Sequence, residues 1–385
     1  MRNQQAKAKV KANELTAMLM IFVTTNAFLT YPRYISRSAY EAAWMETVIS
    51  GIGTLVLFLI VEKIFRRYFR NLDIVEVSKE VFGRVGAAVV AVVFAVYFLC
   101  STAAVVREFT ENVVSTVLPA TPILLVGAVF MFAVGYIAYA GLEGICRTAY
   151  IFLPILLVGT LGLCVATMNW WHFTYLFPLW GTGVPRILSG SLQYSSIFAN
   201  VLLLTIVYPH VHDAAKKMRQ IGFVSIIGST ALLTALVLTY LMVFPAVETG
   251  QSSFAMYRLA RVIHLGPFFQ RVESVFIFLW VTSATVKMAV TLWGAAYLIG
   301  KAFGWPSYRP GIPALSLISF SLGMWLENWI EVINLDAKYL MRWGWLVVFA
   351  LPLAIVLVGM LGQKVKGNRS RPDGSRRRRG KLQNV

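Results

Sequence analysis

Ten apolar runs, each close to the twenty or so residues that a bilayer core requires, constrain this chain more than any other feature. They lie near residues 13–33, 41–62, 85–112, 121–140, 144–168, 187–209, 219–244, 270–298, 312–330 and 342–362. Hydrocarbon offers the backbone no partners, so runs of this length and number fold as helices, and the expected class is an all-α polytopic membrane protein. Composition agrees: 58% of the 385 residues are hydrophobic and only 14% charged, outside the range of soluble domains. Residues 1–12 then form a short leading segment, 13–362 a ten-helix domain in the lipid bilayer, and 363–385 a basic tail expected to be disordered. No small-residue cleavage site precedes the first run, so no cleavable signal peptide is expected.

A net charge of +18 would suggest nucleic acid in a soluble protein, but here it is first divided between the two sides of the membrane. Of the 35 Lys and Arg residues, 25 fall on one side, nine on the other, and Lys287 lies inside a run. The positive-inside rule therefore places both termini in the cytoplasm, as an even number of spans requires. The tail with Arg376, Arg377, Arg378 and Arg379 reads as a topology signal beside anionic headgroups, and no nucleic-acid partner is expected.

Chemistry-bearing motifs are sparse. Cys100, Cys146 and Cys164 sit in apolar stretches and form neither a disulfide framework nor a zinc spacing. His210 and His212 are two residues apart and point to different faces, so no metal is expected there; Asp213 beside them resembles a helix cap. Glu108, Glu143 and Glu273 lie near the ends of runs, where ion pairing is the ordinary explanation. No Ser/His/Asp set, P-loop or dinucleotide glycine pattern is present, so neither an enzyme nor a cofactor is expected.

Two runs contradict themselves in the middle. In the first, Thr24, Thr25 and Asn26 bring hydroxyls and an amide to membrane depth and Pro32 follows, a pattern of a helix that loosens and holds a small polar ligand. The plain alternative is an unbroken helix whose threonines bond back to their own carbonyls. In the sixth, Ser189 to Asn200 carries serines, Gln193 and Asn200 where lipid would favour leucine. Ten runs divide into five and five, and an odd-numbered repeat must insert its second copy upside down, placing runs one and six across the symmetry axis. The candidate ligand-binding residues are Thr24, Thr25, Asn26, Tyr97, Ser195, Ser196 and Asn200. Two connections, 170–186 and 251–266, are rich in aromatic or amphipathic residues and suit a lid or inert packing at the outer surface.

Lys287 is the most anomalous residue. It lies near mid-membrane, and helical spacing aligns it with Ser283, Thr291 and Gly294 in a small, polar stripe that should face the bundle. The acceptors expected for its ammonium are carbonyls freed by a loosened first helix, which would make it a tethered cation coupling runs one and eight. The alternative is a neutral lysine packed in a polar pocket.

Six segments in order resemble the spore germination permeases, the B subunits of GerA-type germinant receptors: PRYISRSAYEAAW (Pro32 to Trp44), REFTENVVSTVLPATP (Arg107 to Pro122), GLEGICRTAYIFLPIL (Gly141 to Leu156), LFPLWGTGV (Leu176 to Val184), VYPHVHDAAKK (Val207 to Lys217) and RVESVFIFLW (Arg271 to Trp280). The resemblance implies the architecture of the amino acid/polyamine/organocation transporters, a LeuT-like five-plus-five inverted repeat with helices one and six broken. It also implies residence in the spore inner membrane, a nutrient ligand that is commonly an amino acid, and partner A and C subunits, the latter a lipoprotein. Where that superfamily usually has glycines at the first helix break, this chain has Thr24, Thr25 and Asn26, which narrows the pocket. Two functions fit: a sensor that shifts a conformational population, or a working permease. Acidic residues placed only near membrane ends favour the sensor.

Overall fold

The computed structural model describes residues 10–69, 72–252, 254–263, 272–325 and 329–369. The leading segment before Val10, most of the basic tail, Arg271 and the end of the 251–266 connection lie outside these residues.

The helices run α1 (Ala12–Phe28), α2 (Tyr31–Ala39), α3 (Ala43–Tyr68), α4 (Ile74–Thr116), α5 (Ile123–Ala140), α6 (Leu142–Ala166), α7 (Val184–Gln193), α8 (Asn200–Val207), α9 (Ala214–Val243), α10 (Ala246–Gln251), α11 (Ala255–Val262), α12 (Val272–Phe303), α13 (Gly311–Met324), α14 (Trp329–Leu335), α15 (Arg342–Trp345) and α16 (Leu351–Arg369). Wider π-helical turns, Asp336–Met341 and Leu346–Ala350, join α14, α15 and α16 into one rod. Among the described residues, seven helices are long and apolar enough to cross a bilayer, eight if α7 and α8 count as one bent span. Ten such spans are not reached, because α1 has 17 residues and α13 only 14.

Sequence explains the boundaries. The α1 helix ends at Phe28, four residues before Pro32, whose ring clashes with the carbonyl at that distance and whose missing N–H cannot continue the ladder. The break therefore falls at Leu29 and Thr30, about one turn beyond the expected Thr24-Thr25-Asn26. All three remain helical, and two of their polar side chains are satisfied along the helix itself: the Thr25 hydroxyl donates to the Ile21 carbonyl at 2.6 Å and the Asn26 amide to the Val23 carbonyl at 2.8 Å. The sixth run breaks where its polar residues predicted. Its two helices bend by 44° about Tyr194 and a 3₁₀ turn, Ser195–Phe198.

The α4 helix is longer than expected, 43 residues, and kinks at Gly83, whose φ of 73° is open to glycine without strain. It starts on a full cap: the Asp73 carboxylate accepts from the Val75 and Glu76 amides while the Glu76 side chain accepts from the Asp73 amide. Asp213 holds the N-cap position of α9, but in a left-handed conformation with no side-chain cap bond, which corrects the capping role expected of it.

Burial is concentrated on α1 and on α12, the most enclosed of the seven long spans. Against α12 pack α4, α5, α6 and α1, and α1 also lies against α9 and α6. The outer helix α13 comes close to α4 because Gly323 has no side chain; a Cβ there would stand 2.7 Å from the Ala103 carbonyl oxygen. The three cysteines are free and sit in this packing. Of the two connections, 170–186 is made of short turns with Phe173, Phe177 and Trp180 exposed, whereas α11 buries Ala255, Met256, Leu259 and Ala260 against the bundle.

Candidate functional site

Both helix breaks face one small cavity in the middle of the bundle. Its volume is about 50 Å³. Asn26 and Leu29 come from α1 and its break, Ser196, Ile197 and Ala199 from the second break, Tyr97, Ser101 and Glu108 from α4, Lys287 from α12, and Asp336 and Met341 from the π-helical turn. A single water needs about 10–15 Å³ of such space, so the cavity as it stands has room for no more than a few waters.

Lys287 is the cation of this site. Only 6% exposed, its ammonium donates to the Asn26 side-chain carbonyl at 2.5 Å and lies 5.7 Å from the centre of the Phe22 ring. The acceptor is thus a side chain, and not the freed backbone carbonyls that the sequence suggested, because α1 keeps its ladder at this level. Ser283 and Thr291 are buried on the same helix, as their spacing predicted. Neither bonds the ammonium: the Ser283 hydroxyl donates to the Trp280 carbonyl, and Thr291 pairs with Thr102 of α4 at 2.8 Å. The Ser283 carbonyl instead accepts from Thr25, a second tie between α1 and α12.

Two carboxylates face the same space. Glu108 is 4% exposed and accepts from the Thr30 hydroxyl at 2.6 Å, fastening the α1 break to α4. Asp336 opens the π-helical turn on the cavity wall. Among the described residues, no carboxylate lies within the 4.0 Å ion-pair distance of the Lys287 ammonium. The cavity therefore holds an ammonium and two carboxylates with space between them rather than closed ion pairs. In a medium of low dielectric such an arrangement attracts a small ligand carrying both signs of charge, or protons.

The remaining candidates divide. Tyr97 and Ser196 line the cavity, and the Ser196 hydroxyl donates to the Met341 carbonyl at 3.0 Å. Ser195 lines a separate groove between α3, α7 and the 345–353 stretch, its hydroxyl bonded to the Leu192 carbonyl. Thr24 and Asn200 are fully buried, yet among the described residues the Thr24 hydroxyl and both polar atoms of the Asn200 amide have no hydrogen-bond partner. Neither residue is on the cavity wall.

Sequence reading missed Glu108 and Asp336. Glu108 counted as an end-of-span residue, but α4 runs on to Thr116 and carries it beside the cavity. A signal was present: Tyr97, Ser101, Val105 and Glu108 recur at helical spacing on one face of α4. Glu143 fits the ordinary explanation, pairing with Arg147 at 2.5 Å. Asp336 had no such signal, because its turn departs from the α-helical period. Among the described residues no cluster of three or more His, Cys, Asp and Glu could hold a metal ion.

A helical membrane bundle with two interrupted helices meeting at a central polar cavity is a transporter-type fold. The match to known families is specific: residues 9–332 fit the family described as spore germination protein, and the chain belongs to the spore permeases. It is 22% identical over 291 residues to spore germination protein KB of Bacillus subtilis (strain 168), covering 74% of this chain and 77% of that one. It is 20% identical over 303 residues to spore germination protein YndE of the same organism, covering 77% and 82%.

Among solved structures, it resembles a Na⁺-coupled sialic acid symporter in a substrate-bound outward-open state, with a TM-score of 0.62 and 12% identity over 90% of this chain and 78% of that one. MhsT in complex with L-phenylalanine superposes with a TM-score of 0.59 and 15% identity over 90% and 98%. MHP1, a nucleobase-cation-symport-1 family transporter in a closed conformation, gives 0.61 and 10% over 92% and 91%. The fold is accordingly the LeuT type, that of these transporters.

Proposed function

We propose that this chain is the B subunit of a spore germinant receptor, that it binds a small nutrient in the central cavity, and that occupancy is passed to A and C subunits in the spore inner membrane. The carrying observation is the set of charged groups on one cavity wall: Lys287, Glu108 and Asp336, with the Asn26 amide joining α1 to α12 through Lys287. A zwitterionic amino acid complements that arrangement, its carboxylate toward Lys287 and its ammonium toward the acids. The present volume requires side chains to yield as the ligand enters, and the α1 break is the natural place, since Thr30, at the break itself, is held to α4 through Glu108. Thr25 then acts around the cavity through its tie to the Ser283 carbonyl, and Thr24, Ser195 and Asn200 lie off its wall.

A second reading, a working permease, gains support from Glu108. An acid beside a mid-membrane ligand site suits proton coupling, and its position removes the ground on which the sequence favoured a sensor. Purified protein reconstituted in vesicles separates the two. A receptor subunit is expected to bind one member of an amino-acid panel saturably without accumulating it, with or without an imposed proton gradient. Gradient-dependent accumulation would establish the permease, and no binding across the panel would refute the amino-acid ligand.

We also infer that both termini are cytoplasmic, from the 25-to-9 division of basic residues. In a background free of the native cysteines, Glu80→Cys should resist an impermeant thiol reagent applied outside and Thr174→Cys should react. Both positions are exposed, so labelling of both from one side contradicts the orientation.

A further inference from the structure

A second, larger cleft opens on the basic side of the bundle, remote from the central cavity. About 450 Å³ in volume, it lies between the kinked start of α4 and the end of α12 with its following loop. Its floor is a closed polar network. Asp73 accepts from the Tyr297 hydroxyl at 2.9 Å and pairs with Lys301, and Lys301 also reaches Glu76 at 3.0 Å. That network holds Lys301 between two carboxylates and leaves two basic wall residues, Lys79 and Arg84, both exposed and, among the described residues, neither within 4.0 Å of a carboxylate. Trp305 and Tyr308 close the opposite wall.

From Arg84 an apolar track leads along α4 away from this face. Val85, Val89, Val92 and Val96 are exposed and recur at i, i+4, i+7 and i+11, so they form one straight stripe on the helix. Val85 is 78% exposed and stands next to the cationic wall, with Phe82 exposed beside it. Lys79 and Arg84 stand before and after the kink at Gly83, and both line the cleft. Two exposed cations and an aromatic wall at the cleft, with an exposed hydrocarbon stripe on the adjoining face of α4, offer a lipid a place for its phosphate and for an acyl chain.

We propose that this cleft is a binding site for an anionic phospholipid, whose phosphodiester lies between Lys79 and Arg84 and whose acyl chain follows the α4 valine stripe. The occupant is a lipid rather than a soluble phosphate because the stripe would leave a soluble anion half of the site unused. The floor gives the site a second consequence: the lipid sits on the Asp73–Lys301 network that ties α4 to α12, so it reinforces the same helix pair that frames the central cavity.

The test uses the full chain in nanodiscs of phosphatidylcholine, with and without phosphatidylglycerol, and reads lipid affinity by titration of a spin-labelled phosphatidylglycerol against the protein's tryptophan fluorescence. Two basic contacts at about 1 kcal/mol each predict that Lys79→Ala/Arg84→Ala weakens phosphatidylglycerol binding by about thirty-fold. Lys79→Arg should retain it, and Arg147→Ala, an exposed basic residue away from the cleft, should not change it. Phosphatidylcholine should not compete, and neither should inorganic phosphate or glycerol phosphate. Equal binding of the two lipids, or an unaltered affinity in the double variant, overturns the site. Competition by inorganic phosphate overturns the lipid assignment in favour of a soluble anion.

Discussion

Replacing Asp73 by alanine is expected to lower the stability of the purified protein by about 3–5 kcal/mol, the usual cost of removing one partner from a buried charged network. One carboxylate here serves four groups. It caps α4 through the Val75 and Glu76 amides, accepts from the Tyr297 hydroxyl and pairs with Lys301, while being itself wholly buried. Alanine would leave Tyr297 and the two amides without that acceptor and Lys301 with Glu76 alone, loosening the start of α4 from the end of α12. Asp73→Asn keeps an oxygen for the cap and for one donor but loses the charge, so its loss should be about half as large. Thermal unfolding in detergent checks both, and an unchanged midpoint for Asp73→Ala would show that the network carries little of the fold's stability.

The largest functional effect is expected at Lys287. Methionine at this position fills similar space but removes the only ammonium on the described cavity wall, and with it the cation over the Phe22 ring. A charge-assisted hydrogen bond contributes about 1.5–3 kcal/mol, so ligand affinity should fall by at least about tenfold. Abundance and folding should change less, because methionine does not need the desolvation that a buried ammonium does. Arginine retains the charge with the wrong shape and should keep part of the affinity. Glu108→Gln should also weaken binding, since Thr30 keeps an acceptor while the site loses one negative charge. Affinity unchanged in both Lys287→Met and Glu108→Gln, measured by equilibrium binding, would place the ligand elsewhere.

How far the sequence carried this account differs from residue to residue. The membrane class, the order of the helices and the interruption of the sixth run were legible, because apolar length and misplaced polar residues report directly on the bilayer. The first break was read one turn early, since threonine and asparagine at depth look like a rupture but can satisfy themselves along the helix, as Thr25 and Asn26 do. Pro32 was the better marker. Lys287 could be placed in the interior from its spacing alone, yet its partner could not, because which side chain of α1 faces it depends on helix rotation. Glu108 was misread because the run around it was drawn too short; hydropathy weakens where α4 carries Arg107, Glu108 and Glu111, although the helix continues to Thr116. Asp336 belongs to a π-helical turn that no simple period describes.

The central claim, that a small nutrient occupies the cavity between α1, α4 and α12, is tested most directly at Ser101, which lines that cavity without being part of its charge network. Ser101→Cys in a background lacking Cys100, Cys146 and Cys164 should react with a small thiol reagent when the protein is free. A saturating concentration of the bound nutrient should slow that reaction at least about tenfold, while Thr174→Cys on the outer surface is unaffected. Undiminished reaction at Ser101 with the nutrient demonstrably bound would contradict the account.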